Sequence, residues 1–167
     1  SNPQAAFYFD SVADPFAYTA FFNNTAPDSS NFSIGTDASV NQSGSNYIAY
    51  VFAPVEGFSA IGTYTGNGST DGPFIYTGFR PKWLMIKRTD SSAGRWDITD
   101  TSRNTYNYMT QWIYANYSDV EDNAGELYDH LSNGFKLRLT PTEINGSAST
   151  YIYAAFAENP FNYSLAR

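Results

Sequence analysis

Apolar and polar residues alternate along much of this chain with the period of a β-strand, which places neighbouring side chains on opposite faces. Tyr47–Ala53 sets Ile48, Tyr50 and Phe52 on one face and Tyr47, Ala49 and Val51 on the other. Tyr151–Ala157 repeats the pattern, with Ile152, Ala154 and Phe156 together. Further strands are expected at Phe58–Tyr64, Phe74–Phe79, Lys82–Arg88, Arg95–Thr99 and Phe135–Leu139. Trp83-Leu84-Met85-Ile86 is a continuous apolar run, expected of a central strand buried on both faces, with Trp83 in the core. Turn residues punctuate the strands at Thr65–Gly68, Asp71–Pro73, Ser92–Gly94, Ser132–Gly134 and Asn145-Gly146. Short strands at this spacing predict an all-β sandwich or barrel. Only Asp119–Leu131 hints at a helical turn.

The two clearest strands belong to an internal repeat. Residues 40–53 and 144–157 align without a gap. Asn41 falls on Asn145, Ser43 on Ser147, Tyr47-Ile48 on Tyr151-Ile152, and Phe52-Ala53 on Phe156-Ala157. With one residue of slippage, Phe32–Ile34 falls on Phe135–Leu137, and Phe9–Ser11 lies loosely over Thr99–Thr101. Self-similarity of this kind marks a modular protein. Nothing upstream corresponds to Gly57–Asp90. The expected organisation is a partial module over residues 1–53, the later half of a copy, followed by a complete module over 54–167.

Composition narrows the function classes. Aromatic residues make up 18% of the chain and charged residues 15%, a balance typical of sheet-rich extracellular proteins. A formal net charge of -7 with only 9 Lys and Arg argues against nucleic-acid binding, which needs a basic face. Without cysteine there is no disulfide framework, thiolate catalysis or cysteine-ligated zinc. No stretch approaches the roughly 20 apolar residues of a membrane helix, so no membrane insertion is expected. Ser1-Asn2-Pro3-Gln4 resembles neither a methionine start nor a signal peptide, as expected of a processed chain or a part of something longer.

Several constellations offer chemistry. Asn67, Ser69 and Asp71 carry oxygens at alternate positions before Gly72, like the start of a calcium loop, but Gly78 stands where such a loop needs its bidentate Glu. The expected reading is a hairpin whose Asn and Asp cap their own backbone, with no cofactor and calcium as the alternative. Asp119, Glu121, Asp122 and Glu126 form an acidic cluster, read as a solvated loop with a calcium or magnesium site as the alternative. Asp97/Asp100 and Glu126/Asp129 are carboxylate pairs of the kind glycosidases use, although sequence spacing does not set their separation in a β-fold. His130, the single histidine, has no nucleophile-elbow motif to serve and reads as a structural residue. The Asn-x-Ser/Thr triplets, from Asn23 to Asn162, are expected by chance in a chain this rich in those residues.

Aromatics are the strongest ligand candidates. Trp96, Arg103, Tyr106, Tyr108, Trp112 and Tyr114 crowd one polar segment, with Tyr117 beside them. Flat amphipathic rings stack on sugar faces while Asn and Asp bond hydroxyls, and the same rings suit protein contacts. The competing reading fills sandwich cores and inter-chain seams with them.

The run Gly57–Asp90, together with Trp96–Asp100, Leu131–Lys136 and Tyr151–Phe161, resembles a module recurrent in structural proteins of marine bacteriophages. The resemblance is strong over about two-thirds of the chain and partial over the N-terminal third. It implies a tail-fibre-like or other virion surface protein, extracellular, non-enzymatic, and partnered by other virion proteins and a host-surface glycan. Fibres of this kind assemble as symmetric homo-oligomers, with a trimer the expectation by analogy. The expected fold is an antiparallel β-sandwich, jelly-roll or lectin-like, with the partial second copy at its N-terminus. A capsid-decoration or fibre-shaft module without a receptor is the alternative, and a secreted glycan-active enzyme a third.

Overall fold

The computed structural model describes residues 5–6, 9, 16–17, 19–91, 94–123 and 125–159. It divides the chain into two compact units, one of residues 1–8 and 15–52, the other of residues 9–14 and 53–167.

In the first unit, β1 (Ala5–Ala6) pairs antiparallel with β2 (Phe16–Ala17). Two short helices follow, α1 (Thr19–Phe22) and α2 (Ala38–Asn41). Asp37 caps α2, its carboxylate accepting from Ser39 N at 2.7 Å.

The second unit is all-β and sandwich-like. Its strands are β3 (Ser59–Thr65), β4 (Phe74–Tyr76), β5 (Pro81–Arg88), β6 (Trp96–Asp100), β7 (Ile113–Tyr114), β8 (Tyr128–Leu131), β9 (Gly134–Leu137) and β10 (Thr150–Ala157), with the helical turn α3 (Thr142–Asn145) before β10. A five-stranded antiparallel sheet runs β3-β10-β5-β6-β7, and a three-stranded one runs β4-β9-β8. The sheets bury Leu84, Ile86, Tyr151, Tyr153 and Ala155 against Ile75, Tyr128, Phe135 and Leu137. The Phe135 and Tyr153 rings meet edge-to-face at 5.4 Å, joining the two layers. Each large side chain in this seam contributes about 2 kcal/mol of burial. Gly134 permits the β4–β9 pairing, since a Cβ there would fall 2.1 Å from the Ile75 carbonyl oxygen.

Most expected strands form, with ends moved by a few residues. Phe74–Phe79 shortens to Phe74–Tyr76, and Phe135–Leu139 shifts to Gly134–Leu137. β5 is central, as its apolar run predicts, but only Leu84 and Ile86 enter the core. Trp83 sits half-buried on the opposite face against Phe156, at 5.6 Å, because strand alternation places it there. The described part of Asp119–Leu131 holds no helix; its end is β8, which puts His130 in the interior. Ser92 and Ala93 of one expected turn, Asp10 and Ser11 of the loose repeat match, and Asn162 lie outside the described residues.

Tyr47–Ala53 differs most from expectation, for it contains no strand. The repeat is nonetheless structural up to its first tyrosine. α2 and α3 occupy equivalent repeat positions, and Gly44 and Ala148, also equivalent, both adopt positive φ, 79° and 58°. Asn41 donates to Gly35 O at 2.8 Å and Asn145 to Leu139 O at 2.9 Å. Tyr47 Oη donates to Ala38 O and accepts from Gln42 N, while Tyr151 Oη donates to Thr142 O and accepts from Gly146 N. One helix–turn–tyrosine latch is thus built twice. After Tyr151 the chain runs between β3 and β5; after Tyr47 it pairs with no strand among the described residues.

Candidate functional site

Strand alternation on β6 turns Asp97 and Thr99 inward, an unusual pair for a core face. Thr99 Oγ1 lies 3.5 Å from His130 Nε2, and His130 Nδ1 lies 3.0 Å from the Pro81 carbonyl oxygen, so the imidazole is held from both sides. Burial lowers the His130 pKa to about 4, against the favourable bond to Pro81. This histidine is neutral and structural.

Asp97 is different. It lies on the floor of a cleft of about 260 Å3 walled by Arg95, Trp112, Tyr114, Leu139 and Glu143. The residue is 5% exposed, and its Oδ2 has no hydrogen-bond partner among the described residues. Burial, with the nearby Glu143 carboxylate adding to it, raises its pKa to about 7, against Arg95 and Lys87. β6–β7 pairing places Asp97 opposite Tyr114, and α3 brings Glu143 to the same cleft.

The aromatic wall is fixed by its own contacts. Trp112 Nε1 donates to Tyr114 Oη at 2.6 Å, and Tyr114 Oη donates to Asp122 at 3.3 Å. Arg95 lies over the Tyr114 and Tyr117 rings, 4.4 and 4.8 Å from their centroids, and pairs with Asp119 at 3.6 Å. A locked wall loses little freedom when a ligand ring packs on it.

The six ligand candidates from sequence do not converge. Trp112 and Tyr114 line the cleft. Trp96 points from the other face of its sheet, against the Phe9 ring at 5.0 Å, where it borders an apolar groove with Ile61, Met85, Ile152 and Ala154. Arg103 is held by Asp100 at 2.8 Å and Glu121 at 2.6 Å. Tyr106 and Tyr108 are exposed in the β6–β7 connection. The cleft also uses Arg95, Asp97 and Glu143, which the aromatic pattern does not reveal. A polar residue at an inward position of the β6 alternation is the sequence signal for Asp97. Its supposed partner Asp100 instead accepts from the Ser102 and Arg103 backbone, and Asp129 pairs with Arg138.

The Asn67–Asp71 loop is bound up in itself. Asn67 accepts from Ser69 N and donates to Asp71 O, Ser69 accepts from Asp71 N, and Asp71 pairs with Lys136 at 2.7 Å. Asn145 anchors this loop by accepting from Asn67 N and donating to Ser69 O. Among the described residues, no cluster of three or more His, Asp or Glu is placed to hold a metal ion. Among them also, no helix is long and apolar enough to cross a membrane.

The chain belongs to the family described as a domain of unknown function (DUF7483), which it matches over residues 2–160, across both units. No curated protein and no solved structure matches it.

Proposed function

We propose that this chain is a non-enzymatic surface module of a bacteriophage virion, of the tail-fibre-like kind its sequence resembles, and that it holds a host-surface glycan in the Asp97 cleft. One observation carries the glycan reading: a buried carboxyl with an unpartnered oxygen floors a small cleft whose wall is Trp112 and Tyr114. A sugar hydroxyl reaching the floor supplies the missing partner, and the rings give the sugar face an apolar surface. Repetition of modules along a fibre adds avidity to so small a site.

The test is a glycan array probed with the whole chain, with calcium and then with a chelator, followed by Tyr114→Ala and Glu143→Gln. Selective binding that both substitutions weaken and the chelator leaves intact supports the proposal. Silence across the array, or binding untouched by either substitution, overturns it.

Asp97 and Glu143 on one cleft favour a second reading, a glycan-active enzyme, because a carboxyl protonated near neutrality beside a carboxylate is the hydrolase arrangement. Sugar release by the native chain, absent in Glu143→Gln, decides for the enzyme.

A further inference from the structure

We propose that residues 47–53 are a donor strand, which adds antiparallel to the free edge of Ser59–Thr65 in a second copy of this chain. The first copy of the latch, none of whose residues line that cleft, delivers the chain to Tyr47 by a helix, turn and hydrogen bonds equivalent to those that deliver it to Tyr151. Beyond each latch, a Tyr-Ile pair and a Phe-Ala pair stand at matching positions.

After Tyr151 that sequence is β10, paired on both sides, with Tyr151 opposite Tyr64 on β3 and opposite Arg88 on β5. After Tyr47 it forms no strand, and Ile48, Tyr50 and Val51 are 81%, 80% and 73% exposed. An alternating apolar strand sequence left open to water is an incomplete element, since a strand is stable only when another strand takes up its backbone groups.

The receiving edge belongs to the same chain. β3 is the outermost strand of the five-stranded sheet. Ala157 N donates to Phe58 O and Gly66 N to Ser149 O, so the even-numbered residues of β3 bond to β10. The odd-numbered residues point their N–H and C=O outward. Ser59 uses its pair on Val55, whereas Ile61, Thr63 and Thr65 have no hydrogen-bond partner on that edge among the described residues. This edge carries no charge, proline or bulge, the devices that ordinarily block strand addition.

A second copy is the occupant because this fold already pairs β3 with a strand of the donor's sequence pattern, and because charge permits the approach. Between Asp37 and Asp71 the only charged residue is Glu56. In a chain of net charge -7, donor and edge are therefore where copies can meet without opposing carboxylates. Each copy offers one donor and one edge, so the exchange closes into a ring, the smallest being a two-fold dimer.

Sedimentation equilibrium of the whole chain against Val51→Pro tests this. Val51 lies outside any strand, so proline there removes a donor N–H and leaves the folded units intact, as an unchanged circular dichroism spectrum and melting point will show. The native chain is expected to form closed oligomers and Val51→Pro to weaken that association at least tenfold. Mixing Val51→Cys with Thr63→Cys under oxidation is expected to yield a disulfide-linked pair, which either variant alone does not form. A native chain that stays monomeric at millimolar concentration overturns the proposal. So does a Val51→Pro variant that associates as the native chain does.

Discussion

Tyr47 and Tyr151 hold the same place in two copies of one latch, yet Tyr47 is 46% exposed and Tyr151 is fully buried. In each, the phenol oxygen bridges a helix carbonyl and the N–H just past the helix. Water can replace the first bridge and cannot reach the second.

Tyr151→Phe should therefore cost about 1–3 kcal/mol, because it strands the buried Gly146 N–H, while Tyr47→Phe should cost less than about 1 kcal/mol. Urea unfolding of the two variants checks this. Equal losses would mean that the latch, rather than its burial, sets the energy.

Asp97 gives the second prediction. Its pKa rises on folding from an ordinary 3.8 to about 7, so in that interval the folded chain holds a proton that the unfolded chain has released. Its contribution is fully present below about pH 4 and is lost as pH rises through about 7, on the order of 4 kcal/mol in all. Asp97→Asn should remove that decline. Urea midpoints across pH 4–8, native against variant, measure it.

His130 acts with the opposite sign. Folding lowers its pKa from 6.5 to about 4, so the unfolded chain binds the extra proton and stability falls as pH drops through that window. The two slopes oppose each other between about pH 4 and 6.5. His130→Asn, whose amide can still donate to the Pro81 carbonyl, should leave the Asp97 decline uncompensated and steepen the loss of stability with rising pH. Unchanged slopes in His130→Asn would contradict the assignment.

Asn145, fully buried, anchors the Asn67–Asp71 loop by accepting from Asn67 N and donating to Ser69 O, and donates a further bond to Leu139 O. Asn145→Ala should cost about 2–4 kcal/mol and loosen that loop, seen as faster amide exchange at Asn67 and Ser69. Because this loop's oxygens are engaged internally, a chelator should leave the melting temperature of the native chain unchanged.

The β character of residues 54–159 is legible in the sequence because alternation and turn residues act locally. Asp97 is legible only as a polar residue on an inward face. Its cleft is not, since Trp112, Glu143 and Asp97 come from separate elements that only the sheet pairing and α3 bring together. Trp96 and Trp112 look equivalent in sequence and end on opposite faces of one sheet, because the side a ring takes is set by its register.

The repeat divides local from tertiary determination most plainly. Sequence alone determined the latch, whose contacts span at most nine residues and form wherever Asn, the turn and Tyr recur. Tertiary structure decided the fate of the segment after it. Tyr151–Ala157 is a strand because β3 and β5 supply partners for its backbone, and Tyr47–Ala53, with the same alternation, is not, because a strand's hydrogen bonds are made by other segments.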